Sequence, residues 1–316
     1  MKRVLLTGAG GFVGRRCVPA LVARGYEVHA VGRRRHGAHE DSPREDSPRC
    51  LWHEADLLDA AGTDALVARV EPTHLLHLAW YAEHGKFWSA TQNLRWIGAS
   101  LALFEPFAAR GGRRIVAAGT CAEYSWEPGG VCREGATPLA PATLYGACKH
   151  ATHVVLEALA RQSGVSHAWG RVFFPYGPHE HPDRLLAYAV RSLLERAPVA
   201  CTPGDQARDF IFVEDAAEAL VALLDSPVEG AVNIGSGAAT TVREMLTKAA
   251  NQIGGRDLLR FGALPRRAGE PALLVADASR LRDEVGWRPR RSLDEGIGET
   301  IEWWRARLGD PAGRGR

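Results

Sequence analysis

The sequence predicts an α/β fold, in which a doubly wound parallel β-sheet is joined to a smaller α/β domain towards the C-terminus. Short apolar runs alternate with helical patterns through the first 174 residues, which is the order that βαβ units require. The runs are apolar almost without interruption, as expected for strands that are covered on both faces of a sheet. A glycine-rich turn also follows the first run, where a strand would meet a helix.

The positions of the strands and helices follow from these patterns. Strand-like runs occupy 3–8, 26–32, 73–80, 113–120 and 167–174, and a further strand with a turn occupies 231–237. Helical patterns occupy 86–110, 143–162, 185–196 and 214–224. Thr241 and Ser292 are each followed three residues later by a glutamate, which is the capping box that begins a helix. These two helices and the Pro-rich connections between them predict the second domain.

Composition excludes several classes of protein. The 316 residues are 46% hydrophobic, enough for a substantial core, and the net charge of +2 gives no electrostatic case for nucleic acid. No segment reaches the roughly 18 apolar residues that a membrane span needs. The six cysteines contain no CxxC pair and are interpreted as reduced thiols of a cytoplasmic protein. The tandem repeat EDSPREDSPR (40–49) is expected to form a surface loop.

The glycine-rich turn is TGAGGFVG, in which Gly8, Gly11 and Gly14 form a GxxGxxG pattern. A tight turn and a close backbone approach need residues without Cβ, and the following helix would offer free N–H groups to a pyrophosphate. A plain glycine turn is the alternative. The position directly after the first strand, with a second strand at the right distance, favours a dinucleotide site.

A tyrosine and a lysine, Tyr145 and Lys149, lie four residues apart in a predicted helix and therefore share one of its faces. We expect the ammonium to lower the pKa of Tyr145 from about 10 towards neutrality, so that the tyrosine can exchange a proton with a carbinol oxygen. Thr120 ends the strand 113–120 and places a hydroxyl where ligands bind in open α/β sheets. A surface Tyr–Lys pair explains the spacing alone, but the three features together favour a catalytic site.

Over nearly its whole length the chain resembles the extended short-chain dehydrogenase/reductases, or NAD-dependent epimerase/dehydratases, which act on nucleotide-sugars. The motifs that carry the resemblance are TGAGGFVG (7–14), ADL (55–57), HLAW (77–80), Asn93, GTCAEY (119–124), YGACK (145–149), RVFFPYGP (171–178), RDFIFVED (208–215), NIGSG (233–237), and GWRP followed by SLDEGI. The resemblance implies a Rossmann-type dinucleotide-binding domain over 1–174 and 208–237. It implies a nucleotide-sugar substrate domain over 175–207 and 238–316.

The resemblance also implies roles for particular side chains. Thr120, Tyr145 and Lys149 would form the catalytic triad, and Arg208 would pair with the diphosphate of the substrate. The implied cofactor contacts are Gly8, Gly11, Phe12, Val13, Gly14, Asp56, Leu57, Leu78, Ala79, Trp80, Tyr145 and Lys149, with Asp56 and Leu57 at the adenine and Lys149 at the nicotinamide ribose.

A homodimer is implied as well, in which the helices 86–110 and 143–162 pair into a four-helix bundle. One stripe at helical spacing would supply the buried face, made of Leu94, Ile97, Leu101 and Phe104. Burial of this stripe inside the monomer would produce the same pattern, so the sequence leaves both arrangements open.

The chain departs from the dehydratases of this family directly after Thr120. Those members resemble one another in carrying an Asp and a Glu at the two following positions, as acid and base for eliminating water. Here the positions hold Cys121 and Ala122, and Glu123 comes one residue late and should point elsewhere. Dehydration is therefore not expected, and Cys121 is placed among the substrate contacts.

Other departures lie where the sugar would bind. Phe174 replaces an asparagine that normally contacts the substrate, and it cannot make that hydrogen bond. Trp80 and Tyr81 add bulk at the end of the strand 73–80, either to shape the sugar pocket or to pack under a loop. His179 and His181 could act as an acid near the sugar or lie in a solvated loop, and the second interpretation is favoured. The histidines have no further ligand set that would indicate a metal.

Three arginines, Arg33, Arg34 and Arg35, follow the second strand. NAD-preferring members place an acid at the end of this strand to bind the ribose 2′-hydroxyl, and that acid would repel a 2′-phosphate. This chain has Gly32 there, followed by guanidinium groups, which favours NADP(H) over NAD(H). Arg33 is the first candidate for the phosphate contact and Arg34 the second, whereas Arg35 is expected to be solvated.

Three functions fit these features. The first is a ketoreductase that delivers hydride to a nucleoside-diphosphate 4-keto-6-deoxy sugar, with Tyr145 protonating the alkoxide and Thr120 binding the carbonyl. The second is a 4-epimerase with the same triad and a tightly held nicotinamide cofactor. The third is a catalytically silent NADP-binding regulator, which the intact Thr–Tyr–Lys set argues against.

Overall fold

The computed structural model describes residues 2–33, 49–127, 130–266 and 269–309. The first half of the chain contains, in order, β1 (Arg3–Thr7), α1 (Gly14–Ala23), β2 (Glu27–Gly32), β3 (Cys50–Glu54), α2 (Ala60–Val70), β4 (His74–His77), α3 (Gln92–Ala109), β5 (Arg114–Thr120), β6 (Gly130–Cys132) and α4 (Leu144–Ser163). The second half contains β7 (Ser166–Val172), β8 (Phe174–Tyr176), α5 (Leu185–Leu194), β9 (Val199–Cys201), β10 (Ala207–Arg208), β11 (Phe210–Phe212), α6 (Val213–Asp225), β12 (Gly230–Ile234), β13 (Thr240–Thr241), α7 (Val242–Ile253), β14 (Leu259–Phe261), β15 (Leu273–Ala276), α8 (Ser279–Asp283) and α9 (Leu293–Gly309).

The main sheet has seven parallel strands in the order β12-β7-β5-β4-β1-β2-β3. The strand order reverses direction between β1 and β4, and ligands bind at this crevice in folds of this kind. The register pairs Thr7 with His77 and places the carboxyl ends of the central strands side by side. The predicted Rossmann-type sheet is therefore confirmed.

Each face of the sheet is covered by its own helices. The apolar side chains of α1 and α6 form one cluster with the strands, in which Cys17, Leu21 and Leu220 are fully buried. The side chains of α2, α3 and α4 form the other cluster, which includes Leu66 and Phe104. Burial on both faces explains why the strands are apolar almost without interruption.

A further core lies outside the main sheet, where α5, α7 and α9 pack together. Its buried side chains include Tyr176, Met245, Ile297 and Trp304. Thr241 accepts a hydrogen bond from the backbone of Glu244 at 3.0 Å and so begins α7. Ser292 and Glu295 make the reciprocal pair of bonds at the start of α9. The predicted capping box is therefore confirmed at Ser292, whereas at Thr241 the structure shows the bond to the threonine hydroxyl, which is one half of the predicted box.

The predicted helix 86–110 begins later than its pattern indicates, because α3 starts at Gln92. The side-chain amide of Asn93 donates to the carbonyls of Phe87 and Ala90, at 2.7 and 2.8 Å, and so holds the preceding segment in a turn. The stripe on this helix also divides, since Phe104 is fully buried and Leu94 is exposed. The predicted stripe on α3 therefore does not form one continuous buried face within the chain.

No helix in the described parts of the chain combines the length and the apolar character needed to cross a membrane.

Candidate active site

The glycine-rich turn between β1 and α1 is shaped by contacts that leave no room for side chains. Gly8 has φ +69°, and a Cβ there would lie 2.8 Å from the backbone nitrogen of Ala79. A Cβ on Gly14 would lie 2.0 Å from the carbonyl oxygen of Gly8. At Gly11 the nearest atom would be at 3.1 Å, so this glycine is less constrained within the chain itself. Gly8 and Gly14 are thus required by the packing of the turn itself.

The next segment is held against this turn by Thr7. Its hydroxyl accepts hydrogen bonds from the backbone of Leu78 and Ala79, at 3.2 and 3.3 Å, and lies 2.8 Å from Nδ1 of His77. These bonds turn the chain out of the sheet, so β4 ends at His77 and not at residue 80 as predicted.

A cleft of about 690 Å³ runs along the carboxyl ends of β1, β2, β3 and β4. Of the predicted cofactor contacts, it is lined by Gly8, Gly11, Arg33, Asp56, Leu57, Ala79 and Trp80. The remaining lining residues, which were not among the predicted cofactor contacts, are Gly10, Val31, Gly32, Ala55 and Trp96. Trp96 could have been found, because it lies one helical turn after Asn93 on the same face. Phe12, Val13, Gly14, Leu78, Tyr145 and Lys149 do not line this cleft.

The end of β2 has a specific reason to carry glycine. A Cβ on Gly32 would lie 2.7 Å from Cζ2 of Trp52, on the neighbouring strand β3. The indole therefore occupies the space that an acidic side chain would need at this position. Arg33 follows as an exposed residue on the edge of the cleft, whereas Arg34 and Arg35 fall outside the described residues.

Thr120 and Tyr145 meet at the carboxyl end of β5. Burial raises the pKa of Tyr145 above its ordinary value, and the nearby Thr120 hydroxyl opposes that shift. The ring of Tyr145 packs edge-on against Phe87 and Trp88, with centroid distances of 5.0 and 5.8 Å. The expectation of a lowered pKa is therefore wrong for the protein by itself, because apolar neighbours disfavour the phenolate.

Lys149 points to other partners than the phenol. Its Nζ donates to the carbonyl oxygen of Ala118 at 2.7 Å and lies 4.0 Å from the ring centroid of Trp80. Burial lowers the pKa of Lys149 to about 7, and the nearby charge of Glu123 opposes that shift. The structure thus brings Thr120, Tyr145 and Lys149 to the same strand end. Lys149 is not among the groups that shift the pKa of Tyr145.

Glu123 points away from Tyr145, as expected, into a fully buried network. Its Oε2 accepts from Nε of Arg171 at 2.9 Å, and its Oε1 accepts from the backbone of Thr120 and from Nε1 of Trp169, both at 2.8 Å. Glu123 with His150 and His153 is the group of potential metal ligands found within the described ranges. The Arg171 guanidinium holds the carboxylate already, so this group does not fit a metal ion.

The predicted substrate contacts Cys121, Phe174 and Arg208 lie together beyond the strand ends. The Arg208 guanidinium lies 5.7 Å from the ring centroid of Phe174 and influences the pKa of the buried Cys121 thiol, which burial raises. Nη2 of Arg208 donates to Glu270 Oε1 at 2.7 Å. Glu270 was not found from the sequence, because it is 62 residues away and belongs to no recognised motif.

Tyr81 and the two loop histidines make local contacts. The Tyr81 hydroxyl donates to Glu83 at 2.7 Å. His179 has φ +71°, lies 2.7 Å from a guanidinium nitrogen of Arg15, and packs on Trp303 with a centroid distance of 4.7 Å. It is therefore anchored to α1 and α9, in contrast to the favoured expectation of a solvated loop.

His181 belongs to the same loop and is half exposed. Its ring stacks on that of His84 with a centroid distance of 4.9 Å. Because His84 belongs to the segment between β4 and α3, this stack joins two loops that the sequence separates widely.

Comparisons with known proteins agree with this architecture. A UDP-glucose 4-epimerase of Mycolicibacterium smegmatis is 28% identical over 315 residues, which cover 96% of this chain and 98% of the relative. A dTDP-6-deoxy-L-talose 4-dehydrogenase (NAD(P)(+)) of Kitasatospora kifunensis is 30% identical over 311 residues, 94% of each chain. The crystal structure of a Thermus thermophilus UDP-glucose 4-epimerase in complex with NAD is 28% identical, covers 96% of this chain and 99% of that one, and superposes with a TM-score of 0.78.

The match to a family model covers most of the same region. The model of the NAD dependent epimerase/dehydratase family matches residues 4–235, from the first strand to the end of the seven-stranded sheet. The matched region contains the glycine-rich turn, the cleft and the Thr120–Tyr145–Lys149 cluster. The chain therefore belongs to the NAD dependent epimerase/dehydratase family and is an enzyme of the extended short-chain dehydrogenase/reductase type.

Proposed function

We propose that this chain is an NADP(H)-dependent ketoreductase that acts on C4 of a nucleoside-diphosphate 4-keto-6-deoxy sugar. The observation that carries the proposal is the cluster of Thr120, Tyr145 and Lys149 at one strand end, next to a cleft that fits a dinucleotide. The fit of the cleft rests on its glycine backbone, since Gly8 cannot accept a side chain and Gly10 and Gly11 line the open side.

The side chains of the chain supply the proton chemistry. Tyr145 is protonated at neutral pH, because burial raises its pKa, and so it donates its proton to the oxygen at C4 as negative charge develops there. The Thr120 hydroxyl, which lies near the phenol and favours its charged form, is proposed to bond the same oxygen. The nicotinamide, when bound, supplies the hydride.

Reduction is favoured over dehydration by the residues after Thr120. Elimination of water needs an acid and a base at these positions, but Cys121 has a raised thiol pKa and Ala122 has no ionisable group. Glu123, the nearest carboxylate in sequence, is held by Arg171 and Trp169. The Kitasatospora relative is named as a 4-dehydrogenase, and the reverse of such a reaction is a 4-keto reduction.

The choice of NADP(H) rests on the end of β2. Trp52 excludes an acid at Gly32, so that no carboxylate at this position repels a 2′-phosphate, and Arg33 is an exposed residue on the edge of the cleft. Asp56 and Leu57 lie on the same side of the cleft and are proposed to contact the adenine.

A 4-epimerase is the second candidate, and it is favoured by the similarity to the UDP-glucose 4-epimerases along nearly the whole chain. An epimerase uses the same triad but returns the hydride to the other face of the sugar, so the cofactor is regenerated. The residues described above serve either reaction.

The deciding experiment follows absorbance at the nicotinamide band in the presence of NADPH and a dTDP- or UDP-linked 4-keto-6-deoxy sugar. A ketoreductase oxidises one NADPH for each sugar reduced, whereas an epimerase converts UDP-glucose into its C4 epimer with no net change in absorbance. Stoichiometric oxidation supports the proposal. Epimerisation without net oxidation, together with no reaction of the keto-sugar, would overturn it in favour of the second candidate.

Substitution of the proposed proton donor provides the matched control. Tyr145→Phe is expected to reduce turnover by about 10²–10⁴-fold, because the phenyl ring keeps the packing but cannot donate a proton. Tyr188→Phe makes the same change on the exposed side of α5 and should leave turnover unchanged. Equal turnover in the two variants would contradict the role of Tyr145.

The cofactor preference has its own test. Arg33→Ala is expected to weaken NADPH binding at least tenfold while NADH binding changes little, because only the former carries the 2′-phosphate. Arg24→Ala, at the end of α1, is the matched control. An unchanged ratio of the two affinities in Arg33→Ala would remove the support for NADP(H).

We further propose that the core of α5, α7 and α9 belongs to the nucleotide-sugar domain, with Arg208 as the diphosphate contact and Phe174 and Trp80 as walls of the sugar site. A homodimer through α3 and α4 is proposed as well. It is supported by exposed apolar residues on both helices, Leu94, Val154 and Val155.

A further inference from the structure

The surroundings of the Lys149 amine are unusual for a buried cation. The side chain is almost fully buried, and its Nζ donates a hydrogen bond to the carbonyl oxygen of Ala118 at 2.7 Å. The other close group is the face of the Trp80 indole, whose centroid lies 4.0 Å from Nζ. An aromatic face at this distance attracts a cation, and more strongly where water is excluded.

Trp80 is itself held in place by hydrogen bonds. Its Nε1 donates to Oδ1 of the buried Asn93 at 2.8 Å, and the amide of Asn93 is fixed by the carbonyls of Phe87 and Ala90. Trp96 packs beside it, with a centroid distance of 6.1 Å. The indole is therefore oriented by α3 and cannot turn its edge towards Lys149 without losing these bonds.

We propose that Trp80 is a positioning residue for the catalytic lysine, whose indole face holds the Lys149 side chain at the carboxyl end of β5 and keeps its amine protonated. The proposal deepens the proposed function and rests on it, since Lys149 belongs to the cluster that the reaction is proposed to use. It assigns to the tryptophan of HLAW a role that an aliphatic residue at this position could not fill.

Electrostatics around Lys149 explain why such support is needed. Burial lowers the pKa of its amine to about 7, which would leave about half of it neutral near that pH. Of the ionisable groups that interact with it, Glu123 favours the ammonium through space, and His77 is kept neutral by burial with a pKa lowered to about 3. The Trp80 face adds the missing attraction.

The test is an NMR titration of the four lysines of the chain, labelled at ¹³Cε, in the full-length protein. The Lys149 resonance is assigned by its disappearance in Lys149→Arg. Trp80→Leu removes the aromatic face but retains an apolar side chain, and we expect it to lower the pKa of Lys149 by about one unit, a tenfold change in the ratio of amine to ammonium. Trp80→Phe retains a face and should recover at least half of the shift.

Trp96→Leu is the matched control, because it makes the same substitution in a neighbouring tryptophan whose ring is not over Lys149. It should leave the pKa of Lys149 unchanged, and Lys2, Lys86 and Lys248 serve as references in every sample. A Lys149 pKa that is unchanged or raised in Trp80→Leu would overturn the proposal, as would equal shifts in Trp80→Leu and Trp96→Leu.

The titration needs no substrate and no turnover. Failure of the proposed reduction would therefore leave the Trp80–Lys149 measurement intact. Conversely, if the wild type oxidises NADPH and the Lys149 pKa in Trp80→Leu equals that of the wild type, this inference alone is refuted.

Discussion

Replacing Glu123 with glutamine is expected to destabilise the chain by about 3 kcal/mol. The carboxylate uses one oxygen for Nε of Arg171 and the other for the backbone of Thr120 and Nε1 of Trp169. A glutamine can retain the oxygen that accepts the last two bonds. Its amide N–H must then face the N–H of Arg171, so that two donors oppose each other in a buried site.

The magnitude follows from burial. Glu123 is fully buried and the Arg171 side chain is 2% exposed, so the guanidinium left behind has no solvent to screen it. Breaking a buried ion pair from one side costs about 3–5 kcal/mol. The guanidinium keeps a hydrogen bond to the Tyr124 hydroxyl at 3.1 Å, which places the expected loss near the lower limit. The pKa of Lys149 should fall as well, because Glu123 supports its charge.

Denaturant titration of wild type and variant measures the free energy of unfolding, with equal slopes required for the comparison. Glu157→Gln is the matched control, since Glu157 pairs with Arg161 on the exposed face of α4 and should cost less than about 0.5 kcal/mol. Glu123→Leu with Arg171→Met should be more stable than Glu123→Gln, because it leaves no unpaired charge. A loss for Glu123→Gln no larger than that for Glu157→Gln would refute this account of the network.

Three further predictions concern the glycine turn, a buried acid and the substrate side. Gly14→Ala should abolish dinucleotide binding and lower the free energy of unfolding by about 3 kcal/mol, because the new Cβ would overlap the Gly8 carbonyl. Gly98→Ala in α3 is the control, since its Cβ meets nothing within 4 Å and should stabilise the chain by about 0.5–1 kcal/mol. Thermal unfolding and cofactor titration check both variants. Burial raises the pKa of Glu180 from 4.5 to about 8, so between these pH values Glu180 is protonated in the folded chain and ionised in the unfolded chain. The stability of the wild type should therefore fall as pH rises from about 5 to 8. Glu180→Gln should flatten that dependence, and an unchanged pH profile of the unfolding midpoint would contradict it. Arg208→Lys should weaken binding of UDP or dTDP at least tenfold in calorimetry, since lysine cannot keep the bonds to Pro271 and Glu270 while facing a diphosphate; unchanged affinity would exclude the assigned role.

Local patterns were sufficient to predict the sheet and the location of the site. Gly14 is required by its contact with Gly8 within the same turn, and Thr120 stands at the end of a strand whose apolar run is visible in the sequence. Helical spacing places Tyr145 and Lys149 on one face. Each of these inferences depends on periodicity or on steric limits that act over a few residues.

The sign of the Tyr145 pKa shift could not be predicted in the same way. Spacing suggested that Lys149 would lower it, but the outcome depends on Phe87 and Trp88, which reach the phenol from a segment before α3. Desolvation is a property of everything packed around a group, and neighbours from other segments are not visible in a local pattern.

The sequence by itself therefore determined the fold class, the glycine turn and the identity of the Thr–Tyr–Lys set, because these depend on short-range geometry. Only the tertiary structure decided which groups surround them. Trp80 meets Lys149, Trp52 fills the place of an acid at Gly32, and Arg208 pairs with Glu270. These contacts join residues far apart in the chain, and such pairs are set by the packing of whole elements rather than by the residues next to them.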